Sequence, residues 1–275
     1  MSQEVEHERY SSIWFSTFMD TIPAEQTARE VAFLERQLPL SRHPTVLDLC
    51  CGAGRHAIPL AHSGHEVTGV DRDPSALERA RSANTSRATF IEADARTVMQ
   101  ERRRWSAVII MWASFGYFTR EQNRALLTDI LSSLGPRGRL VLDVYNRDWF
   151  EAHQGEHRRE RAGIQITETK HVIGDRLSVE LRYDGHDAVD RFSWQVFTPA
   201  GLVHVLNDSG FRLVTLCAGF DESVPPTADQ PRMQIVAERA GEHPHADPGT
   251  RDLPVHDTWG PANPAVNRVD DRHDC

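Results

Sequence analysis

VLDLCCGAGRHA, Val46 to Ala57, is the stretch on which the reading of this chain turns. An apolar run of strand length carries an acid, Asp48, then passes through Cys50 and Cys51 into a Gly-Ala-Gly turn. Glycines in such a turn free the backbone to approach a small anion or a nucleotide closely, and a buried strand feeding a helix is how that approach is usually built.

Outward from this turn the pattern repeats. On its N-terminal side AEQTAREVAFLERQL, Ala24 to Leu38, spaces Ala28, Val31, Ala32, Leu34 and Leu38 as the packing face of a helix. On its C-terminal side the strand-like runs EVTGVD, TFIEAD, SAVIIMW and RLVLDVY alternate with helical stretches, which implies parallel strands joined by helical crossovers. Asp73 before Pro74 reads as a helix N-cap and first helical residue, and Gly135-Pro136 reads as a helix stop.

The expected fold is therefore α/β: a Rossmann-like, seven-stranded, mostly parallel sheet flanked by helices, with a small antiparallel β insertion. The insertion is expected from GIQITETKHVI and RLSVELRYD, joined at Gly174-Asp175, with RFSWQVF as a third strand. A helix over TPAGLVHVLNDSGF and the strands RLVTLCAGF and MQIVAERA would complete the main sheet. The segments are then an N-terminal lid (1–22), a nucleotide-binding core (23–150), the β subdomain (151–197), the core's completion (198–240) and a tail (241–275). The tail is rich in Pro, Asp, His and Gly and reads as disordered, its His243, His245, His256 and His273 offering only adventitious metal binding.

Composition excludes several classes. A formal net charge of -9 argues against binding to nucleic-acid backbones, and the basic runs at Glu101–Trp105 and His157–Arg161 read as solvated surface. No stretch approaches a membrane span, and the polar N-terminus lacks the apolar core of a leader, so a cytoplasmic protein is expected. Cys50, Cys51, Cys217 and Cys275 lack the paired spacing of a zinc site or disulfide framework, and no metal is expected.

GAGRHA also satisfies the loose glycine fingerprint of dinucleotide sites, with Asp71 closing the next strand. Asp48 separates the two readings. An acid at that end of the first strand would repel a pyrophosphate, whereas S-adenosylmethionine brings an ammonium and a sulfonium. On VLDLCCGAG, VTGVDRDPSALERAR and FIEADA, in this order and spacing, the chain resembles class I S-adenosylmethionine-dependent methyltransferases from about Leu34 to Ala240. Cys50 stands where many members have a glycine.

The resemblance implies S-adenosyl-L-methionine as cofactor, with Asp71 on the ribose, Asp94 at the adenine amino group and the Ala95 backbone at the ring edge. The candidate donor-binding set is Asp48, Gly52, Gly54, Arg55, Asp71, Arg72, Asp94, Ala95 and Met111. Arg55 either reaches the ligand's carboxylate or lies on the surface.

For the acceptor, MWASFGYFTREQ after the fourth strand holds neither the proline-rich motif of DNA amino-methyltransferases nor the cysteine of the cytosine enzymes. Its aromatic residues point to a small-molecule pocket. Tyr10 and Tyr117 are the candidate catalytic residues, and Trp14, Phe115, Phe118, Asn146 and Trp149 the candidate substrate contacts. The aromatic run YSSIWFSTFMD either closes over the donor as a lid or staples the N-terminus to the core.

Amine attack needs alignment rather than a strong base; the loop after the fourth strand shows no placed histidine or acid, and the loop after the fifth holds Asn146, Asp148 and Trp149. The expectation is N-methylation of a small-molecule amine in antibiotic or other specialised metabolism, in line with a resemblance to lincosamide- and aminosugar-type enzymes. Small-molecule O-methylation, an NAD(P)-dependent oxidoreductase and an inactive nucleotide-binding protein are the alternatives. A homo-oligomer is compatible with the insertion joining protomers.

Overall fold

A computed structural model of the chain describes residues 10–98 and 104–241. An N-terminal turn of helix, α1 (Ser12–Trp14), runs on as a π-helical turn over Phe15–Met19 and is followed by α2 (Ala24–Gln37). The glycine turn joins β1 (Thr45–Leu49) to α3 (Ala57–His62). Then come β2 (Glu66–Asp71), α4 (Pro74–Ala83), β3 (Thr89–Glu92), α5 (Ala95–Val98), β4 (Trp105–Ile110), α6 (Arg120–Ser133) and β5 (Leu134–Tyr145).

After α7 (Arg147–Ala152) the chain builds β6 (Gly155–Arg161), β7 (Ile164–Ile173), β8 (Arg176–Tyr183) and β9 (Val189–Gln195). It returns through α8 (Pro199–Asp208) to β10 (Phe211–Cys217) and β11 (Arg232–Arg239). The main sheet has the order β10-β11-β5-β4-β1-β2-β3, and β6-β7-β8-β9 form a second, antiparallel sheet. In the main sheet β11 pairs antiparallel with both β5 and β10, while β1 to β5 pair in parallel. This is the expected Rossmann-like architecture with a β insertion.

The strand order reverses direction between β1 and β4, where a doubly wound sheet opens a crevice at its C-terminal edge. Helices cover both faces, so alternate residues of one strand enter different cores. Val108 and Ile110 pack on one side of β4, Ala107 and Ile109 on the other. That double burial is why the central strands read as unbroken apolar runs. A third core lies between the inner face of the small sheet and the N-terminal run, with Ile13, Phe18, Phe150, Leu177 and Phe192 buried in it.

Local chemistry sets the element ends as expected at α4, where the Asp73 carboxylate accepts from the Ser75 and Ala76 amides ahead of Pro74. At α6 the outcome differs. Leu134 leaves the helix directly in an extended conformation and starts β5, and the left-handed residue falls on Arg137 rather than on Gly135. The small sheet also has a fourth strand where a solvated basic run was expected. β6 is an edge strand of mixed charges whose exposed Glu156, Arg158 and Glu160 hide the two-residue period that apolar strands display.

The expected tail lies outside the described residues beyond Gly241, as does most of the basic run before Trp105. Among the described residues no helix is long and apolar enough to cross a membrane. No group of potential ligands there is arranged to hold a metal ion.

Candidate active site

The glycine turn is held in left-handed backbone. Cys50, Gly52 and Gly54 have φ of 61°, 54° and 77°. A side chain on Gly54 would meet the Phe90 ring at 2.8 Å, so close packing as well as conformation requires glycine there. The turn is tied to the end of β2: Asp71 accepts from the Gly52 amide at 2.8 Å and from the Asp73 amide at 2.9 Å. Burial foremost pushes the Asp71 carboxyl up, against those amides.

Asp48 sits on β1 between β2 and β4, 1% exposed, with one carboxylate oxygen unpartnered. Burial, and then the neighbouring charge of Asp71, push its carboxyl up to about 8. The nearby charge of Arg55 opposes this only in part.

Behind the turn lies a buried ionic network. Glu30 on α2 is fully buried and accepts from Arg55 Nη1 at 2.5 Å and His56 Nε2 at 2.7 Å. Burial opposes its charge, yet those two partners hold Glu30 down at about 2. Burial also lowers His56, so the neutral ring donates and Arg55 supplies the counter-charge. Arg232 bridges to Asp143, Nη1 to Oδ2 at 2.8 Å, and Asp143 also accepts from Gln234 and from the Trp112 amide. The Arg55 and Arg232 guanidiniums both lie near the Trp112 ring, at 5.4 and 5.6 Å from its centroid. Arg55 Nη2 and Trp112 Nε1 are buried and have no hydrogen-bond partner among the described residues.

At the end of β3 the Asp94 carboxylate is engaged by its neighbour Arg96, from the amide, Nε and Nη2 at 2.6 to 2.9 Å. The Arg96 guanidinium lies 4.5 Å over the Phe118 ring. Ala95 is buried at the start of α5, and Arg72 is exposed beyond β2. Met111 is 3% exposed and packs in the core.

A second cluster forms between the crevice and the small sheet. The Tyr117 hydroxyl donates to Tyr10 at 2.8 Å, and Tyr10 packs on Trp14 and Phe192 at centroid distances of 4.0 and 4.9 Å. Trp194 contacts the edges of Tyr117 and Tyr145, and Trp149 stacks on His153. Tyr10, Trp14, Tyr117, Tyr145 and Trp149 are all only partly buried. The N-terminal run is clasped by the small sheet: Ser11 donates twice to Asp190, and Arg161 donates to Thr21 and the Phe18 carbonyl.

Three expected substrate contacts stand apart from these rings. Phe115 is 3% exposed and stacks on Phe197 in the main core. Asn146 is fully buried with every polar atom used: it caps α7 through the Asp148 amide and donates to the Thr227 and Gln230 carbonyls. Phe118 lies by Arg96 instead. Conversely, Glu30, Asp143, Arg232, Lys170 and Trp194 escaped the sequence reading. Asp143 had a usable signal, since it interrupts the apolar run RLVLDVY as Asp48 interrupts VLDLC. Glu30 and Arg232 had none, because only the fold brings them to the turn.

Residues 46–138 match the family model described as a methyltransferase domain. YqeM of Bacillus subtilis, named as a methyltransferase, is 27% identical over 82% of this chain and 94% of its own length. A glycine/sarcosine N-methyltransferase of Aphanothece halophytica is 27% identical over 65% of this chain and 70% of its own. Among solved structures, the S-adenosylmethionine-bound amino pentose methyltransferase CalS10 of Micromonospora echinaspora superposes with a TM-score of 0.60 at 18% identity, covering 84% of this chain and 98% of its own. With the domain match running through the glycine turn and kinship reaching along nearly the whole of YqeM, the chain is an S-adenosylmethionine-dependent methyltransferase.

Proposed function

We propose that the enzyme transfers the methyl group to an amine nitrogen of a small molecule, in specialised metabolism. The observation that carries this reading is the set of partly buried, neutral rings beside the crevice. Tyr10 is raised well above the ordinary phenol range by burial and by Tyr117, and burial pushes Tyr145 up to about 12. These phenols keep their protons at neutral pH and are poor general bases. They suit an acceptor that already owns a lone pair, aligned by packing in a site that excludes water.

The donor side fits S-adenosylmethionine by its unmatched polar atoms. An unpartnered carboxylate oxygen on Asp48 suits a cationic group, and the unpartnered N–H groups of Arg55 and Trp112 suit a carboxylate. In this reading Asp48, Gly52, Gly54, Arg55 and Asp71 hold the donor, which supplies an electrophilic methyl on a sulfonium. Tyr10, Trp14, Tyr117 and Trp149 contact the acceptor, and electron-rich ring faces favour a cationic neighbour. The Aphanothece relative is named as a glycine/sarcosine N-methyltransferase and CalS10 as an amino pentose methyltransferase, which supports the same reading.

Mass spectrometry after incubation with the donor and matched amine and alcohol panels tests it. Methylated amines are expected; methylation confined to hydroxyl acceptors would remove the proposal.

A further inference from the structure

The chain's single lysine is in an unusual place. Lys170 lies on the inner face of β7, 5% exposed, with its ammonium 4.9 Å from the Trp149 ring centroid and 6.0 Å from that of Phe150. Its one ion-pair partner, Glu168 Oε2, is at 3.4 Å, well beyond the roughly 2.7–2.9 Å of a charge-assisted hydrogen bond. Glu168 is shared with Arg159, also at 3.4 Å, so one carboxylate faces two cations. The other acid on this face, Asp190, is saturated by Ser11 and Tyr183. Glu168 is thus a loose partner for the ammonium, and the aromatic faces beside it attract the charge without accepting its N–H groups in short hydrogen bonds.

A second donor on the same face is also unmatched. Trp194, two strands away on β9, is 7% exposed, and among the described residues its indole N–H has no acceptor. The register places both side chains on one face, since Lys170 pairs with Val179, Val179 with Phe192, and Trp194 lies two residues on. Phe150 and Tyr145 connect them, Tyr145 touching both Phe150 and Trp194 at about 5 Å. With Arg161, whose guanidinium lies over Phe18, three cations face the two acids Glu168 and Asp190, so the surplus on this wall is of donors and of positive charge.

We propose that Lys170 anchors an anionic group of the methyl acceptor, so that the acceptor is an amine that also carries a carboxylate. One negative charge answers the excess cation and its oxygens answer the loosely paired ammonium, while the rings Tyr145 and Trp149 pack on the remainder. This rests on the amine reading above for the reacting atom, but the anchor itself concerns the other end of the molecule.

The test compares each acid with its amide: glycine and glycinamide, sarcosine and sarcosinamide, phenylalanine and phenylalaninamide, and lactate and lactamide for the hydroxyl case. Wild type, Lys170→Met and Lys170→Arg are assayed for KM and kcat, with melting and S-adenosylhomocysteine binding as checks of folding. The expected result is at least tenfold preference for acids in wild type, carried by KM, collapsing in Lys170→Met and largely retained in Lys170→Arg. Amines methylated without acid preference, or a preference untouched by Lys170→Met, would overturn the anchor and leave N-methylation standing. Acid preference confined to lactate would overturn N-methylation and leave the anchor standing. Should none of the eight turn over, stabilisation of the S-adenosylhomocysteine complex by the acids alone, dependent on Lys170, is the supporting result; its absence overturns the anchor.

Discussion

The Tyr117 hydroxyl donates to the Tyr10 hydroxyl at 2.8 Å across 107 residues of chain. It joins the loop after β4 to the N-terminal run at the edge of the crevice. Tyr10→Phe and Tyr117→Phe each remove one hydrogen bond of about 0.5–1.5 kcal/mol. Each is expected to lower kcat/KM about three- to tenfold with little change in donor affinity. Removal of residues before Ile22 takes away the rings as well and is expected to abolish turnover, measured by S-adenosylhomocysteine release.

Asp48 gives a signed pH dependence. Its folded-state carboxyl, pushed up to about 8, is compared with an unfolded value of about 4. Between those values the unfolded chain binds fewer protons, so stability falls as pH rises through that window and is flat above it. Asp48→Asn is expected to lose this slope in melting curves between pH 5 and 8. It should also weaken S-adenosylmethionine binding at least about tenfold, or about 1.4 kcal/mol. In wild type, donor binding below pH 8 is expected to release a proton, seen as a calorimetric enthalpy that differs between phosphate and Tris.

Glu30 works in the opposite sense. Held at about 2 in the fold, its contribution is present above the ordinary carboxylate range and is lost as pH falls through that range towards 2. Glu30→Ala leaves Arg55 buried without its counter-charge, and a loss of about 3–5 kcal/mol in denaturant titration is expected. Glu30→Gln, which keeps hydrogen-bonding capacity, should cost less.

Gly116 holds the acceptor loop against the small sheet. Its carbonyl accepts from the Gln195 amide at 2.7 Å, its φ is 105°, and an added Cβ would run into the Gln195 carbonyl oxygen. Gly116→Ala is expected to destabilise by about 2–3 kcal/mol in chemical denaturation, since neither backbone can move freely.

Cys50 occupies a left-handed position that ordinary side chains enter at a cost of about 1–2 kcal/mol. Cys50→Gly is expected to be neutral or slightly stabilising, and Cys50→Val to cost about 2 kcal/mol. Equal melting temperatures for the two variants would contradict the strain.

How much of this was legible depended on the range of the interaction involved. The parallel sheet, the glycine turn and the Asp73 cap follow from apolar runs and turn residues within a dozen positions of one another, so local pattern suffices. Asp48 was readable because an acid inside a buried strand is costly wherever the strand goes. The fourth strand of the insertion was missed because β6 alternates charge with charge, and its pairing with β7 decides its structure. Phe115 and Asn146 look like site residues by position, yet burial in the main core and complete hydrogen bonding commit them elsewhere.

By itself the sequence determined the architecture and the place of the glycine turn, through hydrophobic periodicity and the conformational freedom of glycine. Only the tertiary structure decided which side chains share the crevice. Glu30, Arg55 and Arg232 meet because three distant elements pack together, and Tyr10 and Trp14 of the N-terminal run meet Phe192 because the small sheet packs against that run. Such contacts depend on the register of strands and the seating of one layer on another, which no short stretch of chain encodes.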